Sequence, residues 1–423
     1  MEVDPFVGEI EDSLTNSFED YLGEQDVKTE TLPEARDTLS KVEQTTGVKP
    51  ALVYALFVPT RLSASETKQS NQPAESAHKL GTTLQKDSDE LELFMVTSTG
   101  NPIRKRIPGA TRANVLRLAQ QFQREVSDSR KTQTTSYLAP AQALYQMLMA
   151  PIDAELQARK INNLVFITDS GLRSLPLAAL HDGKGFLVER FSIGMMPSLS
   201  LTDTRLGNVK NSQILAMGAS KFTQQEPLPA VPQEINSISN LWKGKTFINE
   251  SFTLANLKSQ RQQQPFGIIH LATHAEFRSG ALSNSYIQLS DTQLRLDQIR
   301  QLGWSNPPVE LLVLSACRTA LGDQEAELGF AGLAVKAGVK SAMASLWAVS
   351  DQGTLFLMTD FYQQLKTAPM KAEALRRAQL SLLYGQATKD SPQKSSEPGE
   401  ETIAKSLSHP YYWASFTMVG SPW

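Results

Sequence analysis

The sequence contains a single cysteine, Cys317, among its 423 residues. One cysteine cannot form an internal disulfide or a cysteine-rich zinc site. No apolar run approaches the roughly 18 to 20 residues that cross a bilayer, which excludes a membrane span. Lys and Arg total 41 against 44 Asp and Glu, a net charge of -3, so the chain has no basic excess that would indicate a nucleic-acid partner. The acidic N-terminal stretch does not read as a secretory signal, and a cytoplasmic location is expected.

Common ligand-binding motifs are also missing. Neither GxxxxGK[ST] nor GxGxxG occurs, and His, Cys and the carboxylates show no zinc-like spacing. The turn "DSGLRSLPL" has a serine, but the GxSxG elbow of serine hydrolases is absent. The sequence therefore predicts no cofactor, nucleotide site or metal site.

The length predicts more than one compact unit, because single hydrophobic cores rarely grow to this size. Residues 1–45 are expected to form an acidic arm or a short docking helix. A polar stretch around Gly207 indicates a boundary between a first unit, residues 46–207, and a second, residues 208–423. Two polar tracts are predicted to be flexible, residues 61–90 as a long mobile loop and residues 386–408 as a disordered insertion.

Apolar runs alternate with amphipathic stretches, most regularly in the second unit. The runs "QILAMGAS", "FGIIHLATH", "ELLVLSA" and "KSAMASLWAV" are typical of buried strands, and "YYWASFTMVG" is expected to complete the sheet. In the first unit "ALVYALFVP" and "LELFMVTST" predict neighbouring strands, and "NNLVFITD" another. Parallel strands need crossover connections, so this alternation predicts a mainly parallel sheet covered by helices on both faces.

The cysteine lies where an open α/β sheet places its reactive groups, at the carboxyl end of a strand. "LLVLSACRTALGD" puts Cys317 there, and "IIHLATHAEF" puts His274 at the end of the preceding predicted strand. Consecutive parallel strands are usually adjacent, so thiol and imidazole are expected to form a nucleophilic pair. The alternative is that Cys317 is a small, inert core residue. Its small and polar neighbours favour an accessible site. His270, inside the apolar run, is expected to be a core histidine, and His409 to mark the entry into the last strand.

Several motifs together carry a family resemblance. "IIHLATHAEF", "LLVLSACRTALGD", "GFAGLAVKAGVKSAMASLWAVSD" and "HPYYWASFTMVG" resemble the CHAT domain, a bacterial caspase-like cysteine peptidase domain related to separase. "YLAPAQALYQMLMAPIDAEL" and "NNLVFITDSGLRSLPLAAL" extend the resemblance back to about residue 110. It implies a caspase-like, three-layer α/β/α fold in which the first unit is an inactive pseudo-protease domain that supports an active protease domain in the second.

The resemblance also implies roles for particular residues. His274 and Cys317 match the catalytic dyad, and the backbone N–H groups of Cys317 and Ala275 would hold the oxyanion. The second position is often glycine, but alanine still supplies an amide. Asp351 matches an acidic position that binds a basic P1 side chain; alternatively, it caps the helix that begins at "QGTLFLM". Asp323, after the nucleophile, is a second pocket candidate, or else part of a solvated surface together with the neighbouring Glu325 and Glu327.

These expectations combine into a cysteine endopeptidase that cleaves a protein substrate through a thioacyl enzyme and is controlled by an activating or regulatory protein partner. Two alternatives belong to other classes. One is a non-catalytic caspase-like scaffold that binds other proteins. The other is a redox-sensing thiol, which the lack of a second, resolving cysteine disfavours.

Overall fold

The helices and strands follow one another in an α/β order. The computed structural model describes residues 6–24, 27–59, 85–319, 323–385 and 407–423, with the backbone alone for Phe6 and residues 316–319. The described helices are α1 (Phe6–Leu22), α2 (Leu32–Thr46), α3 (Arg112–Ser127), α4 (Leu138–Leu148), α5 (Ala150–Ala158), α6 (Leu187–Arg190), α7 (Val231–Leu241), α8 (Leu254–Gln263), α9 (Gln324–Ala331), α10 (Leu333–Ala337), α11 (Asp351–Leu365), α12 (Lys371–Leu383) and α13 (Pro410–Trp413). None of them is long and apolar enough to cross a membrane.

The strands are β1 (Pro50–Val58), β2 (Glu90–Thr97), β3 (Ile103–Thr111), β4 (Asn163–Thr168), β5 (Ser192–Met195), β6 (Ile214–Gly218), β7 (Gly244–Ile248), β8 (Ile268–Phe277), β9 (Tyr286–Gln288), β10 (Gln293–Arg295), β11 (Leu311–Thr319), β12 (Ser341–Ser345) and β13 (Phe416–Gly420). They form one sheet in the order β10-β9-β8-β11-β12-β13-β5-β4-β1-β2-β3, and β6 joins β8 to β7. Parallel pairing predominates, which confirms the predicted α/β class.

The C-terminal strand lies inside the sheet and not at its edge. β13 pairs antiparallel with β12 and parallel with β5, where Val419 lies opposite Met195. The parallel strands of the first unit therefore run opposite to those of the second. Both units contribute strands to one sheet and residues to the larger of two hydrophobic core clusters. The division at residue 207 and the tandem arrangement of two protease-like domains stay predictions.

The N-terminal segment packs on the rest of the chain. Val7, Ile10 and Leu14 of α1 are buried in an apolar cluster with α2 and one face of β1 and β2. This burial favours the docking helix over a disordered arm for residues 6–24. The buried carboxylate of Glu11 accepts hydrogen bonds from the Tyr54 hydroxyl at 2.7 Å and from the Ser200 amide at 3.0 Å. Helix α1 is thereby fixed to the first unit.

Strands with an apolar sequence were predictable, and polar strands were not. β1 and β2 are neighbours, as predicted, and pair antiparallel, and α2 ends at Gly47 in the left-handed conformation. β3 was not predicted, because "IRKRIPGAT" contains three basic residues and a proline, which are rare inside strands. The hairpin of β9 and β10 was also missed, because each strand has only three residues. The two polar tracts predicted to be flexible lie almost wholly outside the described residues.

Candidate active site

The strands that carry the predicted dyad are direct neighbours. β8 and β11 pair in parallel from Leu311 opposite Ile268 onward. Between Leu314 and Ala316 the register shifts, so that Ala272 and Thr273 of β8 lie opposite the single residue Ser315. Such a bulge is common beside active sites, because it changes the direction in which the following side chains point. The residue that follows the bulge on β8 is His274.

The backbone of Cys317 lies next to the predicted oxyanion residue. Beyond the bulge Ala316 pairs with His274 and Cys317 with Ala275. On the other side of β11, the described pairing with β12 ends at Leu314 and Ala344. The backbone segments of the predicted dyad therefore lie side by side at the carboxyl ends of adjacent strands, as the sequence predicted.

His274 is held by the loop between β6 and α7. Its imidazole is half-buried, and its Nε2 lies 2.8 Å from the carbonyl oxygen of Glu226. The ring of Phe222 packs edge-on at 4.7 Å between ring centroids. A carbonyl only accepts hydrogen bonds, so Nε2 must carry the hydrogen, and the lone pair of the neutral ring is then on Nδ1. This tautomer makes Nδ1 the basic atom.

The same loop, residues 219–230, is fixed at both ends. At its start the Asn249 side chain accepts hydrogen bonds from the amide of Ser220 at 2.9 Å and from its hydroxyl at 3.0 Å. The amide of Leu228 donates to the carbonyl of Ser220 at 3.0 Å and closes the loop. At its end the amide of Ala230 donates to Asp351 at 2.5 Å. These contacts were not predicted: a backbone carbonyl that orients a histidine has no side-chain signature in a sequence.

Asp351 lies at the start of α11 and not before it. Ser350 is the N-cap, and its hydroxyl accepts the amide of Gly353 at 3.0 Å, so the alternative of Asp351 as the cap is wrong. The carboxylate instead joins the start of α11 to the start of α7 through Ala230. Burial raises the pKa of Asp351, while the Ala230 amide lowers it; the charge of Glu234 adds to the rise, and that of His274 opposes it. Asp351 is thus within electrostatic range of His274.

Asp323 is the N-cap of α9. Its carboxylate accepts the amides of Glu325 at 3.1 Å and Ala326 at 2.9 Å, and the hydroxyl of Ser279. The Ser279 hydrogen bond and the Ala326 amide lower the pKa of Asp323. This residue is a helix cap and not a freely solvated side chain. Glu327, expected on a solvated surface, is fully buried.

The other histidines have structural surroundings. His270 is fully buried; its Nδ1 lies 3.1 Å from the Tyr362 hydroxyl, and its Nε2 lies 3.0 Å from a Glu234 oxygen at an angle outside that of a hydrogen bond. His409 caps α13 by accepting the amide of Tyr411 at 3.1 Å. In the described ranges no group of three or more His, Cys, Asp or Glu side chains is arranged to hold a metal ion.

The structure described so far is an α/β sheet in which His274 and Cys317 lie at the ends of neighbouring strands. The family model of the CHAT domain matches residues 138–421. This match covers more than half of the sequence, so the chain belongs to the CHAT domain family. The matched region begins in the first unit and runs through the second, including His274, Cys317 and Asp351.

Comparison with solved structures gives distant similarities. A separase–securin complex of Saccharomyces cerevisiae has 9% identity and a TM-score of 0.47, over 98% of this chain and 33% of that one. The complex of the pro- and mature domains of RgpB from Porphyromonas gingivalis has 11% identity and a TM-score of 0.42, over 75% and 77%. The chain thus spans about a third of the chain that it matches in the separase–securin complex. Comparison with curated protein sequences gives no match.

Proposed function

We propose that this protein is a caspase-like cysteine endopeptidase in which Cys317 is the nucleophile and His274 transfers the protons. The observation that carries the proposal is the pairing of β8 with β11, in which Ala316 lies opposite His274 and Cys317 opposite Ala275. Membership of the CHAT family supports it. The hydrogen bond from His274 Nε2 to Glu226 supports it further, because it leaves Nδ1 as the base.

The proposed reaction has two steps. His274 Nδ1 takes the proton of the Cys317 thiol, and the thiolate attacks the carbonyl carbon of the scissile peptide bond. When the C–N bond breaks, the imidazolium gives its proton to the leaving amine, and the acyl group remains on sulfur as a thioester. A water molecule, deprotonated by His274, then attacks the thioester and releases the acid and the free thiol.

The amides of Cys317 and Ala275 are the proposed donors to the oxyanion, worth several kcal/mol in comparable enzymes (about 2.7–4 kcal/mol for one donor). An alanine fits at residue 275 because the backbone there does not have a positive φ. In the described part of the chain, the non-glycine residues with positive φ are Lys160 and Asn249. The edge of β11 beyond Leu314, where the described pairing with β12 has ended, is the proposed approach for the substrate.

For substrate selection we propose Asp351 as the partner of a basic P1 side chain. It is half-buried, lies on the helix that follows β12, and keeps one carboxylate oxygen beyond the bond to Ala230. Asp323 is the second candidate, although three hydrogen bonds already engage its carboxylate. The substrate is proposed to be a protein, and an activating or regulatory protein partner remains a prediction.

The test is the intact mass of the protein after incubation with peptidyl acyloxymethyl ketones that carry Arg, Lys, Asp, Asn or Leu at P1. With one cysteine in the chain, any thiol adduct is on Cys317. We expect labelling that depends on P1, is fastest with Arg or Lys, and is lost in His274→Ala. His181→Ala is the matched control, because it changes a histidine that lies in a turn of the first unit and not in the proposed site. This variant should label normally.

Two further variants test the pocket without breaking the structure. Asp351→Asn keeps an acceptor for the Ala230 amide and removes only the charge, and Asp323→Asn likewise keeps a good N-cap. We expect Asp351→Asn to lose the preference for Arg and Lys by about tenfold or more, because a cationic side chain then has no charge partner.

Equal labelling of His274→Ala and the unchanged chain would contradict the proposed dyad and favour a scaffold.

A further inference from the structure

Glu327, on the helix that follows the nucleophile, is a buried carboxylate that belongs to neither the dyad nor the pocket. It lies on α9 and is fully buried. One carboxylate oxygen accepts the amide of Gly171 at 2.8 Å, and the other accepts the hydroxyl of Ser174. Both partners belong to the turn after β4, in the first unit. Helix α9 of the second unit is therefore fixed to the first unit by a buried carboxylate.

The turn that contacts Glu327 depends on the residue types at Gly171 and Ser174. Gly171 has φ +88°, and a Cβ there would come within 2.6 Å of a Leu116 methyl group, so the position requires glycine. The Ser174 hydroxyl also accepts a hydrogen bond from the buried amide of Gln123 at 2.9 Å. The serine thus relays a chain of hydrogen bonds from α3 to α9, and each buried polar group has a partner.

A buried arginine lies beside the carboxylate of Glu327. The Arg173 guanidinium is buried beside it, donates to the carbonyl of Thr168 at 3.1 Å, and lies 4.5 Å over the ring of Phe18. Burial raises the pKa of Glu327, and the Ser174 and Gly171 hydrogen bonds, with the Arg173 charge, lower it. Removing the carboxylate would leave the Gly171 amide and the Ser174 hydroxyl without their acceptor, a costly loss in a buried site.

Helix α9 is close to the nucleophile along the chain. β11, which carries Cys317, ends at Thr319, and α9 begins at Gln324 with Asp323 as its cap. The Asp323 cap also receives the hydroxyl of Ser279, which follows β8, the strand of His274. Because β11 ends at Thr319 and α9 begins at Gln324, a displacement of α9 would be transmitted over a short distance in the sequence to the segment of Cys317. Displacement of a reacting group by about 1 Å can cost about a hundredfold in rate.

We propose that Glu327 is a positioning residue through which the first unit holds α9, and thereby the segment of Cys317, in its reactive place. This inference rests on the proposed peptidase function and deepens it. It gives the first unit a physical role, because the turn of Gly171 and Ser174 fixes the helix behind the nucleophile. The first unit supports catalysis without contributing a group that touches the substrate.

The experiment measures how fast the Arg acyloxymethyl ketone labels Cys317 in the full-length chain, separating the maximal rate, kinact, from the half-saturating concentration, KI. We expect Glu327→Gln and Ser174→Ala each to lower kinact about tenfold or more, with KI within about twofold. The double variant should be little slower than either single one, because both remove the same link. A role in overall stability alone would not divide the two constants in this way.

Glu11→Gln is the matched control. Glu11 is also a fully buried carboxylate that accepts several hydrogen bonds, but these hold α1 to the first unit. We expect this variant to lower the melting temperature as much as Glu327→Gln while kinact stays within about twofold of the unchanged chain. An unchanged kinact in Glu327→Gln, or an equal fall in Glu11→Gln, would overturn the positioning role.

A second readout separates this inference from the proposed function. If the unchanged chain is not labelled, it is either a scaffold or a zymogen that needs its activating partner, and the link is judged separately by amide hydrogen exchange of residues 323–331. Faster exchange of α9 in Glu327→Gln, but not in Glu11→Gln, would support the link between the units. Equal protection of α9 in all three proteins would overturn it.

Discussion

His270 and His274 lie on the same strand, four residues apart, and have different surroundings. His270 is enclosed by α7 and α11, where Glu234 and Tyr362 contact its two nitrogens. His274 follows the bulge in β8, is half-buried, and uses one nitrogen on the Glu226 carbonyl. The bulge therefore separates a histidine enclosed in the core from the histidine that we propose as the base, whose Nδ1 would transfer the protons.

Substitution of the two histidines should have opposite effects on stability and reactivity. His270→Ala should lower the free energy of unfolding by about 2–4 kcal/mol, because it leaves Glu234 and Tyr362 buried without their partner. The labelling rate of the folded fraction should change less than about threefold. His274→Ala should cost only about 1 kcal/mol and abolish labelling. Urea unfolding and probe kinetics on both variants test this, and a stable but inactive His270→Ala would contradict it.

His409 provides a pH-dependent contribution to stability. Burial lowers its pKa from 6.5 to about 4, so the folded protein resists protonation of the ring. The unfolded chain binds that proton more readily, and stability is therefore lost as the pH falls from about 6.5 to about 4. We expect a loss on the order of 2 kcal/mol.

The control for this prediction is His409→Asn, which keeps an N-cap acceptor for Tyr411 but does not titrate. Its unfolding free energy should fall less steeply over the same pH range, as measured by urea unfolding at several pH values. Parallel pH profiles of the two proteins would show that the ring has an ordinary pKa.

At the scale of elements, the loop of residues 219–230 orients His274, the proposed base. Asn249 fixes its start and Asp351 its end, while Glu226 and Phe222 in between contact His274. Asn249 directly follows β7, Asp351 lies on α11, and His274 lies on β8, so the loop can hold the imidazole only when these three elements are in place. In the proposal, Asp351 thereby contributes both to the substrate pocket and to the loop that orients His274.

The Asn249 anchor can be removed without backbone strain. Asn249 has φ +53°, so Asn249→Gly deletes the side chain while permitting the same backbone conformation. We expect kinact to fall about tenfold with little change in KI, because the imidazole is then less well oriented. Asn249→Asp keeps an acceptor for both Ser220 groups and should retain most of the rate. If both variants labelled like the unchanged chain, the loop would not need this anchor.

The sequence allowed the apolar strands to be predicted, and with them the placement of the candidate dyad. Buried parallel strands are continuous apolar runs, so β6, β8, β11 and β12 stand out, and so do the residues that follow them. The contacts of Glu226 and Glu327 could not be predicted from the sequence, for two reasons. The first acts through its backbone carbonyl, and the second is a charged side chain that is buried only because a distant turn provides its donors.

At the scale of the whole molecule, the two units are joined at several places, three of which involve β13, Glu327 and α1. β13, from the end of the chain, links β12 of the second unit to β5 of the first. Glu327 enters the turn after β4. The C-terminal end of α1 reaches the second unit, where Lys336 donates to the carbonyl of Leu22 at 2.7 Å. The predicted boundary at residue 207 is therefore marked in the sequence by a polar stretch, but the hydrophobic core continues across it.

This continuity predicts that residues 208–423 do not fold alone. Without the first unit, β13 would lose β5, and Glu327 would be a carboxylate without its amide and hydroxyl donors, next to exposed apolar surface. We expect the separate fragment to aggregate or to show little tertiary structure by near-ultraviolet circular dichroism. Coexpression of residues 1–207 should restore a stoichiometric complex in gel filtration, with Cys317 again open to the activity probe. A separate fragment that folds and labels at the full rate would instead establish two independent domains.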